Sequence, residues 1–478
     1  MRAGERRSMN TVMKAIFLAG VCMGPLAVAG PAAADSLSEA LAAAYESNPV
    51  LLAERAALRA VDENVARANS GYRPSVDGDV SIARSTIDST TRAPEVLGPN
   101  GVTSNFDSTD KNYSAEISQP IFRGLQTLNE VREAKASVFA ARERLRAVEQ
   151  ATLLDAVTAY ADVVRDEAVL ALNENQVEVL RRQLEASQDR FRVGEITRTD
   201  VAQSEARLAL AISNRIAAEA ALTASREAYR RIIGKAPGTL EPLPPLPPLP
   251  TSLEEAQDIA LENNPALGQA RFEERAAGHA VASAKGSLAP TVSGFARVRR
   301  SIGTNLVSTD VTGTRTTTVK SVGAQMTVPL YQSGAEYANV RQAKQTRSQR
   351  MLEIAVAERQ VIENVRNAWE QLRTSRGSIE SDQASVRANE IALDGVRQEA
   401  AVGSRTTLDV LDAEQELLDS RVNLARSKRN EYVAAYSLLQ AIGRAGARDL
   451  ALPVAEYYDP AVHYEDVKWK LFGFGADQ

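Results

Sequence analysis

Few residues in this chain could do covalent or metal chemistry. Its 478 residues include one cysteine, Cys22, and two histidines, His279 and His463. Neither histidine has a second one at the three- or four-residue spacing with which a helix presents metal ligands. Both therefore read as solvated or hydrogen-bonded imidazoles. Cys22 falls within the leader described below, so the mature chain has no disulfide, thiolate metal site or cysteine nucleophile. Carboxylates remain, and two of them recur in one setting. Thr197-x-x-Asp200 and Thr406-x-x-Asp409 each follow a Val-Gly pair. A threonine three residues before an acid is the pattern of a helix N-terminal capping box. Capping accounts for Asp200 and Asp409 but not for Asp412, which is the cleaner candidate for a carboxylate with a separate task. No loop constellation suits paired-carboxylate hydrolysis. The expectation is no catalytic residue, no cofactor, no metal and no enzyme.

The elements that hold these residues begin outside the cell's inner compartment. Arg2, Arg6, Arg7 and Lys14 accompany an apolar run over 15–29 and the small residues Ala32-Ala33-Ala34. This is the pattern of a cleavable signal peptide over 1–34, with Met9 or Met13 equally able to start it. Arg6-Arg7 lacks the apolar continuation of a twin-arginine signal, and Val21 is too bulky to precede a lipidated cysteine. Removing the leader's four basic residues and Glu5 takes the net charge from −5 to −8. Nucleic acid is thus not expected as a partner. No later stretch has the ~18 consecutive apolar residues of a membrane-spanning helix, so entry into a membrane would need a β-barrel.

The mature region is a tandem duplication. Ser36-Leu-Ser-Glu-Ala and Ser252-Leu-Glu-Glu-Ala open its halves, and Asn48-Pro49 recurs as Asn264-Pro265 at the same offset of 216. Gly194 and Gly403, Asp200 and Asp409, and Gly234 and Gly443 keep an offset of 209. The predicted units are a first repeat over 35–241, a proline-rich linker over 242–251, a second repeat over 252–445 and a C-terminal tail over 446–478. The linker, Pro242-Leu-Pro-Pro-Leu-Pro-Pro-Leu-Pro250, reads as a stiff polyproline spacer.

Each repeat predicts a β-hairpin, over about 74–120 and 290–329. Val76, Gly78, Val80 and Ile82 alternate with polar residues, as do Val322, Ala324, Met326 and Val328 in the second copy. Strands of ~10 residues with one apolar face suit lipid outside and water inside. The Ser- and Thr-rich stretches 89–109 and 305–315 read as exposed loops. From Phe122 to Arg192 there is no proline, which predicts a helix about 100 Å long. The shorter helices 36–71 and 199–233 match it when placed end to end, and 252–287 with 409–443 match 331–401. Tip turns at about 193–200 and 402–409 then lie far from the strands. Leu180, Leu184, Phe191, Val201, Leu208 and Ile212 suggest a coiled-coil seam. Four strands cannot close a barrel, so several copies must assemble. Two would give a filled interior and three a lumen.

Together these features resemble the TolC-type outer-membrane factor family. The resemblance rests on the doubled start, on the prolines that open and close each hairpin, and on the turns Val193-Gly194-Glu195-Ile196-Thr197-Arg198-Thr199-Asp200-Val201 and Val402-Gly403-Ser404-Arg405-Thr406-Thr407-Leu408-Asp409-Val410. It implies a mixed α and β fold: a trimeric twelve-stranded transmembrane β-barrel with four strands per chain, continued by a long α-helical coiled-coil barrel across the periplasm. It places adaptor docking at Val193, Gly194, Val402 and Gly403. It places a tip lock at Arg405 with Thr199 and Asp200, and a constriction at Asp409 and Asp412, where like-charge crowding would raise the carboxyl pKa values. A tyrosine that joins the family's lock falls here at Ala400.

The function so implied is a passive exit duct in the outer membrane. Its partners would be a homotrimer's other copies, a periplasmic adaptor (membrane fusion protein), an inner-membrane ABC transporter or proton-driven efflux pump, and outer-membrane lipid. Type I protein secretion is favoured over multidrug efflux by the non-lipidated start and by the tail Tyr457-Tyr458-Asp459-Pro460…His463-Tyr464…Lys468-Trp469. A periplasmic coiled-coil adaptor is the competing class. It would have one helical hairpin and no membrane-type strands.

Overall fold

A computed structural model describes residues 35–91, 102–308 and 311–474. The signal peptide expected over 1–34 lies outside the described residues. The first half runs α1 (Leu37–Ser47), α2 (Pro49–Asn69), β1 (Ser75–Thr91), β2 (Val102–Arg123), α3 (Gln126–Arg192) and α4 (Arg198–Ile233). The second half repeats that order as α5 (Leu253–Asn263), α6 (Pro265–Gly286), β3 (Thr291–Ser308), β4 (Val311–Thr327), α7 (Ala335–Ala401) and α8 (Thr407–Ala441). A short helix, α9 (Pro460–Val467), follows. The long helices α3 and α7 have 67 residues each, about 100 Å at ~1.5 Å per residue.

The helix expected over 36–71 is two helices, broken between α1 and α2 because Pro49 has no amide hydrogen to continue α1. The break is what permits end-to-end stacking. The Asn48 side-chain amide donates to the Ile232 carbonyl at the end of α4 at 2.8 Å. Its side-chain oxygen accepts from the Val50 amide at the start of α2 at 2.9 Å. The second repeat does the same, with Asn264 donating to Ala441 at 2.8 Å and accepting from Ala266 at 2.9 Å. One asparagine thus satisfies an orphan carbonyl of one helix and an orphan amide of the next. It stands where a peptide unit of an unbroken helix would stand.

The strands form one antiparallel sheet in the order β1-β2-β3-β4, with β1 and β4 as unpaired edges. At 17, 22, 18 and 17 residues they are longer than the ~10 expected. Consequently Ser89–Thr91, Val102–Thr109, Asn305–Ser308 and Val311–Arg315 belong to strands, not loops, while 92–101 and 309–310 lie outside the described residues. The extra length does not continue the apolar face. The apolar face runs Val76, Gly78, Val80 and Ile82 before meeting Arg84, about 20 Å at ~3.3 Å per residue. The neighbouring strands carry Lys111, Arg300 and Lys320 at the same alternation, ending their apolar runs similarly. That height is close to the roughly 25 Å apolar band of membrane barrels. Beyond it the ribbon continues with polar pairs such as Arg84–Asp107 and Ser85–Ser108.

The main core sits at mid-length, where the splices are. Tyr160, Tyr229, Leu58, Leu153, Ile233, Leu438 and Ile442 are almost wholly buried there. The Tyr160 hydroxyl donates to the carbonyls of Asp35 and Glu241 at 3.0 and 2.8 Å, and burial pushes its pKa up to about 12. The proline-rich segment is not a free spacer. Leu240, Leu243, Leu246 and Leu249 pack against this core, because the three-residue turn of a polyproline chain brings every third side chain to one face.

Replacing Asn48 or Asn264 with Ala orphans one carbonyl and one amide. Each change should cost about 1–2 kcal/mol, read as a lower guanidinium midpoint of the helical circular-dichroism signal. The two should add, since the sites share no partner. Unchanged midpoints would contradict the splice.

Candidate functional site at the two helical tips

The ends of α3 and α7 remote from the strands carry the residues singled out in the sequence. Each long helix stops because a glycine turns the chain left-handed, Gly194 at φ +79° and Gly403 at φ +81°. Glu195 then donates its amide to the Arg190 carbonyl at 2.9 Å, and Ser404 to the Glu399 carbonyl at 3.0 Å. The valines before these glycines are bare, Val193 79% and Val402 81% exposed. Each tip thus presents an apolar knob beside a glycine with open space around it.

The capping boxes are both present. Asp200 accepts from the Thr197 amide and hydroxyl at 2.9 and 2.8 Å, and Asp409 from those of Thr406 at 2.8 and 2.7 Å. The hydroxyl and amide of Thr406 hold the Asp409 carboxyl below the usual aspartate value, with Arg405 adding to the effect. Within one chain the shift is therefore opposite to the rise expected from crowding, because cap hydrogen bonds favour the charged form. Asp412 is not free either. It forms an ion pair with Arg207 of α4, linking the second repeat to the first.

Arg405, Thr199 and Asp200 do not meet within the chain among the described residues. The Arg405 Nε donates to Glu399 at 2.8 Å, across its own turn, and the Asp200 carboxylate is taken up by Thr197. A bond from Arg405 to Asp200 across a subunit boundary would have to exchange one acid for the other. Ala400, the last residue but one of α7, has only a methyl group and adds no polar atom to such a bond.

Three further contacts were not anticipated. Arg190 pairs with Glu195 at 2.7 Å, so each tip has an ion pair from helix to turn, with opposite polarity in the two copies. The 209-residue offset, which sets Arg190 opposite Glu399, contains that signal. Arg397 pairs with Glu414 at 2.9 Å, although Glu414 is buried. Val177, Leu180, Ala211 and Leu411 form a small core that joins the repeats just above the tips. The expected seam is only partly realised. Leu180 is buried and Leu208 packs beside it, but Phe191 and Ile212 are exposed. Near the tip, Ser187 and Ser204 fill the seam between α3 and α4 and bond at 3.2 Å.

The chain matches the family described as "Outer membrane efflux protein" over residues 40–235 and 257–444. It is 36% identical over 469 residues to the outer membrane efflux protein BepC of Brucella suis biovar 1 (strain 1330), covering 98% of each chain. It is 27% identical over 343 residues to the alkaline protease secretion protein AprF of Pseudomonas aeruginosa, covering 69% of this chain and 70% of that one. Its fold matches the crystal structure of the Campylobacter jejuni CmeC outer membrane channel with a TM-score of 0.71 at 16% identity, over 90% of this chain and 89% of that one. From the doubled helix-and-hairpin architecture, the paired Val-Gly tips and these likenesses together, the chain belongs to the outer membrane efflux protein family of TolC-type channels, and is an outer-membrane channel rather than an enzyme.

Proposed function

We propose that the chain, made as a precursor that loses residues 1–34, is the passive exit duct of a tripartite export machine and works as a homotrimer. The observation that carries this reading is the placement of two bare Val-Gly tips at the far end of rods that begin in an unclosed four-stranded sheet. Edge strands in lipid leave a row of unsatisfied amides and carbonyls, so β1 of one copy pairs with β4 of the next.

The duct performs no chemistry. An inner-membrane transporter drives cargo, and the adaptor grips the apolar knobs at Val193-Gly194 and Val402-Gly403. Asp409 and Asp412 face the narrowed end, with Arg207 setting how much of Asp412's charge reaches the lumen. Opening exchanges Arg405 between Glu399 in its own turn and Asp200 of a neighbour. Small-molecule efflux is the first reading of cargo, since the efflux-named relative matches almost end to end at 36% identity. Type I protein secretion stands beside it, supported by the non-lipidated start and the protease-secretion relative.

Two experiments test this. The mature chain has no cysteine, so Val193→Cys and Val402→Cys are unique crosslinking sites. Both should capture one periplasmic adaptor in cells, in complex with a proton-driven pump if cargo is small or an ABC transporter if it is protein. Failure of either site to capture an adaptor would sink the docking assignment. In planar bilayers, Asp412→Ala should raise the concentration of divalent cation needed to block the pore by about threefold, and Arg207→Ala should lower it comparably. Shifts of the same sign would mean that the pair is only a strut between repeats.

A further inference from the structure

The tail beyond the second repeat takes no part in the tips, and its course along the molecule is fixed by contacts in sequence. The Tyr458 amide donates to the Tyr45 hydroxyl at 3.0 Å, and the Arg55 guanidinium sits 4.5 and 5.0 Å from the centres of those two rings. Further along, His463 Nδ1 lies 3.1 Å from the buried Asp62 carboxylate. Asn69 then donates to the Lys468 carbonyl at 2.8 Å, and Arg73 to the Lys470 carbonyl at 3.0 Å. Partners advance together along both segments, from Tyr45 to Arg73 and from Tyr458 to Lys470. The tail therefore climbs parallel to α2, away from the tips, and reaches a point two residues short of Ser75, where β1 begins.

What arrives there is apolar and uncovered. Trp469 and Leu471 are each 65% exposed, Phe472 90% and Phe474 fully. Both grips at this end take main-chain carbonyls, which leaves these side chains free to face outward. Tyr72, next to the Arg73 that holds Lys470, and Ile121 and Phe122, at the foot of the first hairpin, are exposed as well. Val76, three residues past Arg73, starts the apolar band. Tryptophan and lysine beside aliphatic and phenyl groups are the composition of a membrane–water boundary, where an indole sits at headgroup depth and a lysine reaches phosphate.

The geometry points to Trp469-Lys470-Leu471-Phe472-Gly473-Phe474 as an interfacial anchor in the periplasmic leaflet of the outer membrane, with phospholipid as its partner. The apolar side chains enter the upper acyl region and Lys470 meets the phosphates. The anchor continues the lipid-facing band of the first hairpin below the barrel and fixes the depth at which α2 meets the bilayer. It depends on the barrel's location alone, and not on adaptor, cargo or gate.

The chain's two tryptophans make the test direct. Trp369→Phe leaves Trp469 as the sole emitter in the full-length protein reconstituted in phosphatidylethanolamine–phosphatidylglycerol vesicles. Its emission should be blue-shifted and quenched by roughly half by lipids brominated high on the acyl chain, and less by lipids brominated near the chain end. Adding Leu471→Ser, Phe472→Ser and Phe474→Ser should leave assembly intact and move Trp469 into water, open to iodide. Water-like emission in the parent would overturn the proposal. So would blue emission that neither brominated lipid nor iodide quenches, since a second copy would then cover the tail. Unchanged bromolipid quenching in the serine variant would also overturn it.

Discussion

The length of this molecule depends on how a helix can be interrupted and still behave as one. Each helix end leaves four amides or four carbonyls without an intrahelical partner, and a rod assembled from two pieces meets that cost twice at its joint. Asn48 and Asn264 reduce it with a short side chain whose amide copies a peptide group, offering an N–H to the carbonyl below and an oxygen to the amide above. Pro49 and Pro265 follow at the first helical position, where no amide hydrogen is needed. The macrodipoles align head to tail across the joint, negative end to positive end. Each long helix therefore has a full-length partner, although the chain enters and leaves that partner at mid-height.

The other features sit relative to that joint. The core gathers around it, with the leucines of the proline-rich segment as an outer strap. The strands and the tips are carried to opposite ends, where a four-stranded sheet is left open at both edges and two valines are left bare. A few kcal/mol at mid-length thus positions surfaces that act far from it. At the tips the chemistry is modest. Capping threonines take up the carboxylates of Asp200 and Asp409, and arginines within reach already have acids of their own. In the proposed gate these contacts exchange partners, so that isolated charges are neither made nor broken.

Much of this was legible in the residues. The repeat offsets located both hairpins and both tips, and the absence of proline from 122–192 gave the long helix to within a few residues. The strands exceed the expected ~10 residues because serine and threonine serve equally well in loops and in ribbons beyond an apolar band. Only the register, with Arg84 and Lys320 closing the apolar band, separates the two. The Asn-Pro pair stood in both halves, but its partners, Ile232 and Ala441, are 184 and 177 residues away in sequence. No local pattern shows a bond of that range. The pairing of Arg405 with Glu399 and of Asp412 with Arg207 was missed for a related reason, since family resemblance transfers positions while partners depend on neighbouring side chains such as Arg207.

The claim beneath this account is that α4 and α2 form one rigid rod. Spin labels at Glu205 and Glu63, both exposed, lie on either side of the joint in one chain. In assemblies diluted with unlabelled chains, pulsed dipolar spectroscopy should give a single narrow distance of about 65 Å, the sum of the helical rises. Replacing Asn48 with Ala should broaden it. A short or broad distance in the unaltered chain would contradict the spliced rod.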